Sequence, residues 1–73
     1  MPDPDHEDAE QIAAAVRVVL GLLRLQTLEP GAIPLADLPD LLIVAADERD
    51  RQGDFGAGRM LESWAGMLRV WEA

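Results

Sequence analysis

The sequence predicts a small all-α protein with three helices in one domain, near residues 8–27, 38–52 and 57–72. Apolar residues recur at helical spacing in these segments, and no segment alternates polar and apolar residues as a half-buried strand does. The first helix also carries more apolar surface than a 73-residue chain can bury by itself. We therefore expect oligomerisation to complete the fold.

Helix one is predicted to begin near Asp8, because acidic residues there favour the positive end of a helix. It should end near residue 27, since Pro30 disfavours helical geometry in the residue before it. The apolar run Ile12–Leu25 is interrupted along one thin line only, by Arg17, Gly21 and Arg24. Residues 1–7 contain two prolines and are predicted to form a disordered acidic arm, which leaves 8–73 as the single helical domain.

Prolines and glycines separate the helices. We expect the connection from Glu29 to Ala36 to pack on the core through Ile33 and Leu35. Asp37 is a candidate cap for helix two.

Helix two is apolar as far as Ala46, and its charged second half is expected to project into solvent. Gly53 and two further glycines interrupt the chain, so helix three should begin between Asp54 and Ala57.

Helix three has the clearest periodicity. Its apolar stripe, at alternating steps of three and four, consists of Leu61, Trp64, Leu68 and Trp71, with Met60 and Met67 beside it. Two tryptophans one heptad apart are typical of a core, and together with methionine they are also typical of an interface centre. In a homo-oligomer both interpretations can hold.

Small residues in helix one indicate where a second copy can approach. Ala14 and Gly21 lie seven residues apart, almost on one line, which would admit an antiparallel or crossed helix. The alternative is that Gly21 is merely tolerated, at a cost of about 1 kcal/mol relative to alanine. Combined with the stripe of helix three, this predicts the interface residues Ala14, Val18, Gly21, Leu25, Met60, Trp64, Met67 and Trp71.

The composition argues against an enzyme. The chain has no cysteine, one histidine, one serine and one threonine, which excludes thiol chemistry and leaves a hydroxyl nucleophile without a base. Pairs of carboxylates remain, but so small a chain leaves little room for a catalytic pocket. We expect Asp37 and Asp40 to cap a helix and Asp47 and Asp50 to lie on a solvated face. No cofactor is implied.

Residues 48–59 partly resemble the calcium loop of an EF-hand. Glu48, Asp50 and Gln52 fall at loop positions one, three and five, and Gly53 falls at position six. Position twelve, where a bidentate glutamate closes the coordination shell, is Arg59, and a cation there opposes a metal. We therefore expect a glycine-rich linker and no metal site.

The formal charge of −8 argues against direct binding to nucleic acid or to anionic membranes, which needs clustered basic residues. The run Ile12–Leu25 is shorter than the roughly 20 residues that span a bilayer, and it contains two arginines. The acidic start of the chain is unlike a signal peptide, so we expect a cytoplasmic protein.

Two functions fit these observations. The first is a protein–protein interaction module, acting as a homo-oligomer in the role of an adaptor, assembly factor or accessory subunit. The second is an acidic inhibitor, such as an antitoxin or immunity protein, that blocks a basic groove on a partner protein. Salt distinguishes them, because charge mimicry weakens with ionic strength and an apolar interface does not.

Overall fold

A computed structural model describes the backbone of residues 4–72 and the side chains of residues 8–71. Within these residues the chain forms three α-helices and no strand: α1 (Pro4–Leu28), α2 (Leu38–Arg51) and α3 (Phe55–Glu72). A short 3-10 turn, Leu35–Asp37, precedes α2. The predicted all-α, three-helix fold is confirmed.

The first helix is longer than predicted. It begins at Pro4, four residues before the predicted start, because proline suits the first turn of a helix, where backbone N–H groups have no intrahelical partner. Residues 4–7 of the predicted arm therefore belong to α1, and residues 1–3 lie outside the described part of the chain. The predicted end of the helix is confirmed at Leu28.

A side-chain clamp holds the connection between α1 and α2. Gln26 accepts a hydrogen bond from the Ile33 N–H at 2.9 Å and donates one to the Ile33 carbonyl oxygen at 3.2 Å. Ile33 is buried as predicted. Leu35 is exposed, contrary to the prediction, because the chain enters the 3-10 turn there and leaves the core surface.

The second helix begins after Asp37, but the predicted cap is wrong in its chemistry. Asp37 makes no side-chain capping hydrogen bond. Its backbone is already helical, with φ −89° and ψ −16°, since it ends the 3-10 turn, whereas a capping side chain needs an extended backbone. Pro39 lies in the first turn of α2 as the sequence permits.

A tight turn joins α2 to α3. Gly53 has φ 87°, its N–H donates to the Asp50 carbonyl, and the Asp54 N–H donates to the Arg49 carbonyl. These are the two bonds of a Schellman motif, which requires a left-handed residue and so favours glycine. The predicted linker reduces to residues 52–54, and the start of α3 at Phe55 falls within the predicted range.

The third helix is the centre of the fold. It packs extensively against α2 and less extensively against α1, while α1 and α2 hardly touch each other. Within residues 8–71 the fully buried hydrophobic side chains are small ones, apart from Leu61: Ala15, Ala46, Ala57, Leu61 and Ala65. Helices that meet through alanine come close together, but they enclose little apolar volume.

Candidate functional site

The separation of α1 from α2 leaves an apolar groove above α3. Its volume is about 430 Å³, within the usual range for binding clefts. The walls come from α1 and from the start of α2, and the floor comes from the last turns of α3. Every lining residue is apolar: Val16, Val19, Leu22, Leu23, Leu38, Leu42, Trp64, Met67, Leu68 and Trp71.

The tryptophans lie at this groove rather than in the core. Trp64 is half-buried against the core cluster, and Trp71 is 74% exposed. The interpretation of both tryptophans as core residues is therefore wrong for Trp71 within one chain. Leu61 takes the fully buried position, since α2 and α1 approach α3 through alanines around it.

The predicted interface residues fall into three groups. Trp64, Met67 and Trp71 line the groove together. Ala14, Val18 and Met60 are half-buried around the core cluster. Gly21 and Leu25 lie exposed farther along α1, and a Cβ added at Gly21 would meet nothing within 4 Å.

A second concavity beside Ala14 and Val18 is polar. It has a volume of about 510 Å³, and Glu10, Arg17, Arg49 and Asp54 contribute to its lining. The flank of α1 that carries the predicted small-residue line thus faces charged groups, whereas the other flank faces the groove.

The sequence interpretation missed an exposed apolar stripe on α1 that adjoins the groove. Ile12, Val16, Leu20 and Leu23 are all exposed, and at about 100° per residue they fall within about 80° of one another. We call these four residues the outer stripe. Their spacing of four, four and three is visible in the sequence, but the surrounding apolar residues conceal it.

A polar contact fixes α1 against the start of α3. The Gln11 side chain lies in a notch at Gly56, where an added Cβ would come within 2.9 Å of it. Its Oε1 accepts a hydrogen bond from the Ala57 N–H at 3.0 Å, and its Nε2 lies 3.5 Å from Asp54 Oδ1. Arg49 donates to the other oxygen of Asp54 at 3.4 Å. Gln11 therefore caps α3 from another helix and positions the groove wall.

The prediction that the charged half of α2 projects into solvent is wrong for part of it. Arg49 and Asp50 are half-buried against the start of α3, because the Schellman turn folds α3 back over them. A Cβ on Gly58 would collide with the Asp50 carboxylate and lie 3.1 Å from the Ala46 carbonyl oxygen.

Three carboxylates meet across α2 and α3. Oxygens of Asp47, Asp50 and Glu62 lie within 4.8 Å of one another, and Asp47 and Glu62 are exposed. The arrangement differs from the twelve-residue calcium loop, since residues 48–51 and 55–59 are helical. The other pair considered, Asp37 and Asp40, does not act as a cap; Asp40 accepts a hydrogen bond from Arg69 at 3.1 Å.

The helix α1 contains a segment that is long and apolar enough to cross a membrane, judged by length and composition. This segment is Asp8–Leu28, with 21 residues, and an 18-residue window within it has a mean hydropathy of 1.4. This segment is longer than the run Ile12–Leu25 and reaches the roughly 20 residues that span a bilayer, so a transmembrane helix is not excluded by length. Core helices and signal sequences pass the same test. Here α1 is tied to α3 through Gln11 and Ala15, and insertion would break those contacts.

Comparison of the chain with protein-family models, curated protein sequences and solved structures gave no match.

Proposed function

We propose that this protein is a small helical protein–protein interaction module that acts as a homo-oligomer, in the role of an adaptor, assembly factor or accessory subunit. The observation that supports this proposal most directly is the apolar groove with Trp71 at its rim. An exposed tryptophan beside methionine and leucine in a concave surface has the composition of an interaction hot spot.

The accessible surface supports this proposal. The chain exposes 5327 Å², whereas a compact monomer of its 8.0 kDa mass would expose about 4,450 Å². The difference, about 900 Å², is close to the roughly 800 Å² that each partner contributes to a stable interface. The radius of gyration of 13.2 Å also exceeds the value of about 11 Å for a compact domain of this length.

The distribution of charge favours this role over the acidic inhibitor. Among the residues whose side chains the structure describes, three arginines contact carboxylates of the same chain, in the pairs Arg49–Asp54, Arg51–Glu48 and Arg69–Asp40. Acids paired internally present a weaker phosphate-like surface to a basic groove. In the proposed module the acidic exterior keeps the assembly soluble.

The test is the native mass of the purified chain, measured by light scattering over a dilution series at low and high salt. We expect an oligomer whose mass does not fall as salt rises, because burial of apolar surface drives it. A monomer at every concentration would refute the homo-oligomer.

A matched pair of variants tests the surface. Trp71→Glu should dissociate the oligomer, since it places a charge at the groove. Val70→Glu is the control, because Val70 is 73% exposed against 74% for Trp71 and is not among the lining residues of the groove. Equal effects of the two variants would contradict a role for the groove.

A further inference from the structure

We infer that the groove is occupied by α1 of a second copy, packed antiparallel about a two-fold axis near Leu20, so that the outer stripe of each copy covers the groove of the other. This inference rests on the proposed function and names its partner surface.

The exposed apolar surface of the chain is complementary to itself. Val16 and Leu23 belong both to the outer stripe and to the groove wall, so the stripe and the groove form one continuous apolar surface. In a two-fold interface the same patch serves both partners, and a surface that offers both a ridge and a groove meets that condition. Between them, Leu20 is 57% exposed and does not line the groove.

The groove is about as long as two turns of a helix. From Val16 to Leu23 along α1, and from Trp64 to Trp71 along α3, the groove extends seven residues, or about 10 Å. This matches two turns of an incoming helix, which would place side chains at the spacing of the outer stripe.

The acidic charge at the start of α1 favours an antiparallel pair over a parallel one. The chain has five acids in its first ten residues, and Asp8 and Glu10 lie near the start of α1. A parallel pair would place each acid beside its copy. With an antiparallel axis at Leu20, the two Asp8 residues are about 36 Å apart, well beyond the screening length of about 8 Å at physiological salt.

The two flanks of α1 differ in the side chains that a second copy would bury. The line through Ala14 and Gly21 borders the concavity that contains Glu10, Arg17 and Arg49. Docking there would desolvate charged groups, whereas docking at the groove removes only apolar side chains from water.

The native mass of two variants distinguishes docking on the groove side of α1 from docking on its other flank. Leu20→Glu places two charges at the axis, and we expect it to raise the dimer dissociation constant about a hundredfold or more. Gly21→Glu, one residue away on the other flank, should leave the mass unchanged. Both positions are exposed, and circular dichroism verifies that each variant is folded.

Cross-linking gives a readout that does not depend on affinity. The chain has no cysteine, so a single introduced thiol reports on one position. Leu20→Cys lies beside its own copy at the axis and should form a disulfide-linked dimer under mild oxidation, since this bond needs Cα atoms about 4.4–6.8 Å apart. Val70→Cys, away from the groove, should remain largely without this disulfide cross-link.

The outcomes are distinguishable. A wild-type monomer refutes the proposed function and this inference together, and a monomer that sediments with phosphatidylcholine vesicles would assign the outer stripe to lipid. An oligomer that survives Leu20→Glu but dissociates with Gly21→Glu preserves the proposed function and overturns only the inferred seam.

Discussion

Replacement of Gln11 by alanine tests how α1, the wall of the groove, is fixed to the rest of the fold. The Ala57 N–H is one of the donors at the start of α3 that lack an intrahelical partner, and Gln11 Oε1 accepts its hydrogen bond at 3.0 Å. Ala57 is fully buried, so water cannot readily replace the glutamine. We expect Gln11→Ala to lower the free energy of unfolding by about 1–2 kcal/mol. For a domain of this size the melting temperature should fall by about 5–15 °C.

Urea unfolding followed by circular dichroism, at one fixed protein concentration, measures this loss. Gln52→Ala is the control, because the Gln52 amide donates only to the Glu48 carboxylate on the exposed surface, at 3.2 Å. Its cost should stay below about 0.5 kcal/mol. If the two variants lose the same stability, the capping of α3 by Gln11 does not hold α1 in place.

Three further predictions concern the glycines of α3, the carboxylate cluster and the effect of protein concentration on the melting temperature. Gly66→Ala should raise the free energy of unfolding by up to about 1 kcal/mol, because the added Cβ meets open space. Gly58→Ala should not gain this stability, because its Cβ would contact Asp50 and Ala46. Thermal melts of the two variants measure the difference. Glu62→Gln removes one of three converging carboxylates and should raise the unfolding free energy by about 0.2–0.5 kcal/mol at low salt, and a decrease would show that the cluster is not repulsive. The melting temperature should rise with protein concentration, because association with the folded state stabilises it; a constant value across the series would argue against coupling.

The helix boundaries could be predicted because their signals are local. Pro30 and the turn around it end α1 at Leu28, and Gly53 adopts the positive φ that ends α2. The start of α1 was missed because proline both breaks helices and suits their first turn, and only the structure distinguishes the two at Pro4.

The contacts that build the candidate site could not be predicted in the same way. Gln11 and Ala57 are 46 residues apart, and a glutamine within an apolar helix gives no sign of the amide that it will cap. The tryptophans present a related difficulty. Hydrophobicity ranks Trp71 above Ala65 as a core residue, but the close approach of α2 to α3 requires small side chains, and Ala65 is fully buried while Trp71 remains outside.

This division between small buried and large exposed side chains links folding to association. In the described part of the chain Leu61 is the largest fully buried side chain, and most of its fully buried neighbours are alanines, each of which removes little apolar area from water. Trp71 and Leu20 are more than half exposed, so most of the free energy available from burying them has not been gained within one chain. A 73-residue chain has a small free energy of unfolding, and burial of the groove residues would increase it. Under the proposed function, a second copy therefore buries the large apolar side chains that one chain leaves exposed. Variants such as Trp71→Glu should lower the free energy of unfolding as well as the affinity between the copies.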